Sequence, residues 1–158
     1  MAWITGLLGS LFGLALGLFG TLWAAKNGPF NNRFLIFAGL LPVVGFMYGF
    51  KQVARMRGQW PVPRLAPRLA LALTCAVLGA VGMYLSFVTL SSTWNHDTLP
   101  PEKQSLVYLI FHPSEVPPVA FQNNPKSYYR PSTWPLSTIL TSCLAGFAGY
   151  MWSRRGDG

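Results

Sequence analysis

Four long apolar runs divide the chain, and every charged residue lies in the segments between or beside them. The runs cover residues 2–25, 34–50, 69–90 and 136–152. As a helix, the first run would extend about 36 Å, which exceeds the roughly 30 Å hydrocarbon core of a bilayer. A helix also satisfies its own backbone hydrogen bonds in lipid. The pattern predicts an all-α integral membrane protein with four transmembrane helices in a single domain, residues 1–158.

The scarcity of charge supports the same class of protein. Only 10% of the 158 residues are charged and 51% are apolar, whereas soluble domains carry about 25% charged residues. The net charge of +8 comes from basic residues that collect just outside the apolar runs. Basic residues behave this way at lipid headgroups. Membrane lipids are therefore expected partners, and nucleic acid is not.

The basic residues also predict the orientation. The linker between the second and third runs contains no acid and five cations, which are expected to contact headgroups: Lys51, Arg55, Arg57, Arg64 and Arg68. The positive-inside rule places this linker in the cytoplasm, and four spans put both termini on the same side. A 44-residue extracytoplasmic loop over residues 91–134 holds three of the four acids. Compactness and the lack of an Asn-x-Ser/Thr sequon favour a bacterial inner membrane.

A stripe of small residues is the clearest pattern in the first run. Its glycines are spaced 3, 4, 4 and 3 residues apart and resemble a glycine zipper: Gly6, Gly9, Gly13, Gly17 and Gly20. That spacing places all of them on one helix face. Helices associate in lipid through such faces, because small residues let two backbones approach closely. Internal packing, a protein partner and a second copy of the chain all remain open as the occupant.

The long loop contains a second candidate surface. Residues 105–111 are rich in β-formers and 119–121 follow a Pro-Pro turn, so a short β-hairpin or edge strand is expected. A re-entrant segment that dips into the headgroups is the alternative, because seven residues are too few to span. Near the fourth run lies an aromatic and basic group: Tyr128, Tyr129, Arg130 and Trp134. Such residues anchor protein interfaces, and they also form membrane-interface belts.

Groups that could perform chemistry are scarce. No ionisable Asp, Glu, Lys, Arg or His lies within an apolar run, whereas proton relays and ion pathways use such residues. His96 and His112 are sixteen residues apart, without the spacing of a metal site. The sequence therefore predicts no enzyme activity, no cofactor and no metal site.

A non-catalytic protein that binds a protein partner in or at the membrane is the expected function. In size, number of spans and topology, the chain resembles small four-span bacterial immunity proteins, which protect a cell from membrane-directed toxins. It is similar in the same general plan to accessory subunits of secretion and respiratory complexes. A small oligomeric pore or transport component is a further alternative. These resemblances rest on the general plan of the chain, so no family residues are carried over.

Overall fold

Four long helices form the body of the protein, because each apolar run must satisfy its backbone hydrogen bonds internally if lipid surrounds it. The computed structural model describes residues 1–27, 32–120, 128–129 and 134–155. The helices are α1 (Ala2–Asn27), α2 (Asn32–Met56), α3 (Leu65–Trp94), the short α4 (Leu106–Phe111) and α5 (Trp134–Arg154). Within the described residues, α1, α2 and α3 are long and apolar enough to cross a membrane. Their length and composition indicate a membrane location.

Two helices extend beyond the apolar runs that predict them. The second run stops at residue 50, whereas α2 continues to Met56, and α3 begins at Leu65 rather than at residue 69. The apolar pattern marks only the part of a helix that lipid can surround. Helix formation continues past it, because Lys, Arg, Gln, Met and Ala all have high helix propensity.

The end of α2 is set by a glycine. Gly58 has a φ of 62°, a left-handed conformation that glycine adopts without a steric penalty. The Gln59 amide donates to the carbonyl of Ala54 over 2.9 Å, and the Gly58 amide donates to Arg55 over 3.0 Å. This pair of bonds is a Schellman motif, which satisfies carbonyls at the end of the helix and reverses the chain toward α3.

The helices form two close pairs, α1 with α2 and α3 with α5, joined mainly through α2 and α3. The start of α1, the end of α2 and the basic linker meet at one end of the bundle, where Ala2, Phe50 and Val62 share a buried cluster. The amide of Val62 donates to the carbonyl of Ser153 over 3.2 Å, so the end of α5 lies there too. We call this the basic end.

At the opposite end, the segment after α3 folds back onto that helix. Residues 95–118, called the cap below, contain α4 and three short 3-10 turns. Leu109 and Val116 from the cap are buried against Phe87 and Leu90 of α3 and Leu35 of α2. The cap is therefore an ordered part of the fold, and its side chains form part of the buried core.

The strand expected over residues 105–111 is wrong, because Leu106–Phe111 form the helix α4. The helical turn buries Leu109 completely in the core while the phenol of Tyr84 donates to the carbonyl of Ile110 over 2.6 Å. Tertiary packing here overrides a β propensity that depends strongly on context. The short strands β1 (Val119–Ala120) and β2 (Tyr128–Tyr129) pair antiparallel, with Val119 opposite Tyr129. Phe121 lies outside the described residues.

Candidate functional surfaces

The glycine stripe of α1 lies against α2 of the same chain. A Cβ on Gly9 would meet the carbonyl oxygen of Gly45, and a Cβ on Gly45 would meet the carbonyl oxygen of Gly9. The two backbones are thus in direct contact at this crossing. Because lipid supplies little hydrophobic force between helices, dispersion contacts of this kind stabilise the pair.

Further glycines of the stripe extend this contact in both directions. A Cβ on Gly6 would lie 2.7 Å from the Phe46 ring, and one on Gly17 would lie 2.6 Å from the Ala38 oxygen. Pro42 has no amide hydrogen to donate to that oxygen, so Gly17 covers a carbonyl that lacks its usual helical partner. Gly13 contacts the Leu41 carbonyl in the same way.

The outermost glycine of the stripe has a different setting. Gly20 is partly exposed and lines a groove of about 320 Å³ between α1 and α2 together with Leu16, Gly17 and Phe37. Four of the five stripe residues thus contact α2 directly, and the fifth borders a lipid-facing groove. The face is occupied within the chain, which leaves it little area for an external partner.

Small residues also join the other helices. A Cβ on Gly79 of α3 would lie 2.9 Å from the Cβ of Ala145 in α5. Gly82 of α3 contacts the carbonyl of Gly39 in α2. Ser142 of α5 donates its hydroxyl to the Ala76 carbonyl of α3 over 2.9 Å. Close backbone approach is therefore the common packing mode of the bundle.

Five predicted headgroup-contacting cations lie together at the basic end. Lys51 and Arg55 are in the last turns of α2, Arg57 follows it, and Arg64 and Arg68 lie at the start of α3. Of these, Arg68 donates from Nε to the Val62 carbonyl over 2.6 Å. This bond holds the linker against the first turn of α3.

An aromatic stack fixes the linker against α5. The rings of Trp60 and Trp152 lie with centroids 4.4 Å apart, and the Lys51 ammonium lies 5.6 Å from the centroid of the Trp60 ring. Cations are attracted to the negative face of such a ring. The stack positions Lys51 beside the mouth of a groove between α2 and α5, which Trp152 also lines.

Side-chain bonds to backbone carbonyls hold the cap in place. The hydroxyl of Ser91 donates to the Pro117 carbonyl over 2.6 Å, and the Trp94 indole donates to the Ala25 carbonyl over 3.1 Å. Together with the Tyr84 bond to Ile110, these connect the cap to α3 and α3 to the end of α1. A buried carbonyl without a partner would cost free energy, so these bonds stabilise this particular docking.

An ion pair lies within the cap. The Lys103 ammonium lies 2.6 Å from Oε2 of Glu115, and the Tyr108 hydroxyl donates to Oε1 of Glu115 over 3.1 Å. The hydrogen bond from Lys103 holds the pKa of Glu115 below its ordinary value, and the bond to Glu115 raises the pKa of Lys103. The His112 ring stacks on Tyr108 at 4.1 Å. This network links the residues before α4 to the residues after it, and so stabilises the cap around that helix.

The outward face of α4 carries two exposed apolar side chains. Val107 is 63% exposed and Phe111 is 75% exposed, and their spacing of four residues places them on one face. Leu109 points the other way, into the core. The sequence-based prediction of a strand over these residues misses this surface. A helix predicted for the same residues would have identified it.

The predicted contact group on the loop is only partly described. Tyr128 and Tyr129 form β2, and Trp134 is the first residue of α5. Arg130 lies outside the described residues. Over the part of the chain that the structure describes, no group of three or more His, Cys, Asp and Glu is placed to hold a metal ion.

Comparison of the chain with protein-family models, curated proteins and solved structures gave no match.

Replacing Gly13 by Leu is expected to destabilise the bundle, because the new side chain must displace the backbone at Leu41 and Pro42. Overpacking of this kind typically costs about 1–3 kcal/mol. The expected result is a lower Tm of the purified protein in mild detergent. Ala15→Leu is the matched control, because Ala15 is a small exposed residue of the same helix. Equal Tm values for both variants would contradict a stabilising role for the contact.

Lower pH is expected to reduce the stability of the cap. The folded-state pKa of Glu115 is lowered from 4.5, so its contribution to stability is present above 4.5 and is lost as pH falls through the lowered value. Glu115→Gln should increase amide exchange of α4 at neutral pH, with the difference from the unmodified protein disappearing at low pH. Hydrogen exchange, corrected for intrinsic rates, measures this. Glu102→Gln is the control, and a pH-independent difference would show that charge is not responsible.

Proposed function

We propose that this protein is a non-catalytic, four-span membrane protein that binds a membrane-inserting protein partner through the cap. The single observation that carries the proposal is the exposed pair Val107 and Phe111 on a helix whose opposite side is anchored in the core. Aromatic side chains such as Phe111 are enriched at protein interfaces, and burial of Val107 beside it would add apolar contact area. The glycine face is a weaker candidate, since α2 of the same chain occupies it.

The position of α4 indicates what kind of partner could reach it. Ile110 and Leu109 contact α3 at Tyr84 and Phe87, well before α3 ends at Trp94. A helix needs about 20 residues to cross the hydrocarbon. If Arg68 lies at one membrane surface, Tyr84 and Phe87 therefore lie close to the other surface. A partner at this depth has to be apolar and at least partly inserted. Such depth fits an immunity role against a membrane-directed toxin, the most specific form of this proposal.

An accessory or assembly role in a larger complex uses the same surface with a resident subunit as the partner. Both roles give a 1:1 or fixed-ratio complex and neither needs chemistry in the chain. The identity of the recovered partner therefore distinguishes them, whereas a self-associated pore would contain this chain alone.

The proposed topology places α5 across a bacterial inner membrane, with the basic end in the cytoplasm. One added cysteine at Arg57, Asp97 or Arg154 reports it, and the native chain, which contains Cys75 and Cys143, is the labelling control. An impermeant maleimide applied to intact cells should label only Asp97→Cys, because the other two positions lie at the basic end. Labelling of both Asp97→Cys and Arg154→Cys would mean that α5 does not cross. Labelling of Arg57→Cys would mean that the orientation is inverted.

Removing the two exposed side chains should release the partner. The double variant Val107→Ala/Phe111→Ala is expected to lower partner recovery in a mild-detergent pull-down by at least tenfold. Full burial of a Val or Phe side chain is worth about 1.5–3 kcal/mol, and a tenfold change in affinity corresponds to about 1.4 kcal/mol. Mass spectrometry identifies the partner, and in the immunity case the same variant should lose protection against the toxin.

Matched controls are available on the long helices. Phe12 and Phe37 are 69% and 70% exposed, so Phe12→Ala and Phe37→Ala remove similar apolar area without touching the cap. Recovery of the partner equally by all variants would refute the cap as the binding surface. Recovery of this chain alone, as a defined oligomer, would refute the partner proposal and favour a pore.

A further inference from the structure

A groove between α2 and α5 changes character along its length. At the basic end it is a cavity of about 330 Å³ lined by Tyr48, Lys51, Gln52, Arg55 and Trp152 with Val44 and Met47. Val44 and Met47 also line an adjoining cavity of about 470 Å³, whose other walls are apolar residues of both helices, including Leu40, Leu144 and Phe147. Because they share these two residues, the two cavities lie next to each other along α2, and together they are called the groove below, polar at its mouth and apolar beyond it.

Five of the α2 residues that line this groove follow a single stripe. Leu40, Val44, Tyr48, Lys51 and Arg55 are spaced four, four, three and four apart, which keeps them on one face. From Leu40 to Arg55 the stripe rises about 22 Å. One leaflet of a bilayer, headgroups included, is about 20–22 Å thick. The groove therefore has the length of one lipid molecule.

Two cations line the mouth and offer contacts to an anionic headgroup. Lys51 and Arg55 are one turn apart at the groove, and no acidic residue occurs anywhere between 51 and 68. An Arg guanidinium matches the geometry of a phosphate and can bind it with two parallel hydrogen bonds. The Trp60 ring holds the Lys51 side chain at this position. Gln52 adds an amide and Tyr48 a hydroxyl, both of which hydrogen-bond polar headgroups.

We propose that the groove between α2 and α5 binds an anionic phospholipid of the leaflet at the basic end. The phosphate contacts Lys51 and Arg55 at the mouth, and an acyl chain lies between Val44 and Met47 on one side and Leu144 and Phe147 on the other. The groove between α1 and α2 provides the contrast: all of its lining residues are apolar or glycine, so it offers contacts to any acyl chain and no headgroup selectivity. The site requires α2 to lie in a membrane and is independent of the protein partner proposed for the cap.

Native mass spectrometry of the full chain in mild detergent tests the site, with phosphatidylglycerol and phosphatidylcholine of the same acyl chains as probes. The first phosphatidylglycerol is expected to bind at least fivefold more tightly than phosphatidylcholine. Lys51→Gln/Arg55→Gln should abolish that preference. Arg57→Gln/Arg64→Gln removes the same charge from exposed positions outside the groove and should retain it.

A second variant tests the apolar part of the groove. Ala148 is exposed and lines the groove, so Ala148→Trp should fill it and weaken phosphatidylglycerol binding several-fold without altering the cations. Inorganic phosphate at millimolar concentration should not displace the lipid. Equal affinity for the two lipids, an equal loss in both double variants, or full displacement by inorganic phosphate would each overturn the proposal.

Discussion

Direct contact between helix backbones is the constraint on which the rest of this structure depends. α2 is in such contact on two sides, with α1 at Gly45 and with α3 at Gly39. Two helices can approach this closely only where at least one of them has no side chain at the crossing. The glycines of α2 therefore determine both its neighbours, and the order of the bundle follows from their placement on the helix.

Large buried side chains form two clusters in the bundle. One buried cluster, with Phe46, Phe50 and Leu71, lies toward the basic end, and the other, with Phe87 and Leu109, lies under the cap. Between them, the crossings are made by glycine, alanine and serine. Bulky residues elsewhere on α1, such as Phe12 and Phe19, point outward. This distribution is the one that lipid favours, since apolar side chains gain little by leaving it.

Some of these features can be predicted from the sequence and others cannot. The spacing of Gly6 to Gly17 predicts the packing face of α1 because helical periodicity is geometric, but it does not identify the helix that occupies the face. The helical nature of residues 106–111 was missed, because their β-branched and aromatic composition favours a strand while Leu109 and Ile110 are fixed by contacts with α3. The bonds from Tyr84 and Ser91 to cap carbonyls are also unpredictable from sequence, since every residue offers the same acceptor.

The two proposed surfaces can operate independently because they share no residue. The cap is anchored on the last third of α3, through Tyr84, Phe87 and Ser91, whereas the groove is walled by α2 and α5 toward the opposite end. A substitution at Lys51 or Arg55 therefore leaves every described contact of the cap intact. Coupling between the surfaces would pass through α2, whose Leu35 packs under the cap, or through α3, whose crossing with α2 at Gly39 and Gly82 is too close for the helices to move nearer without a clash. Because that crossing is already at backbone contact, lipid binding cannot draw α2 and α3 closer together.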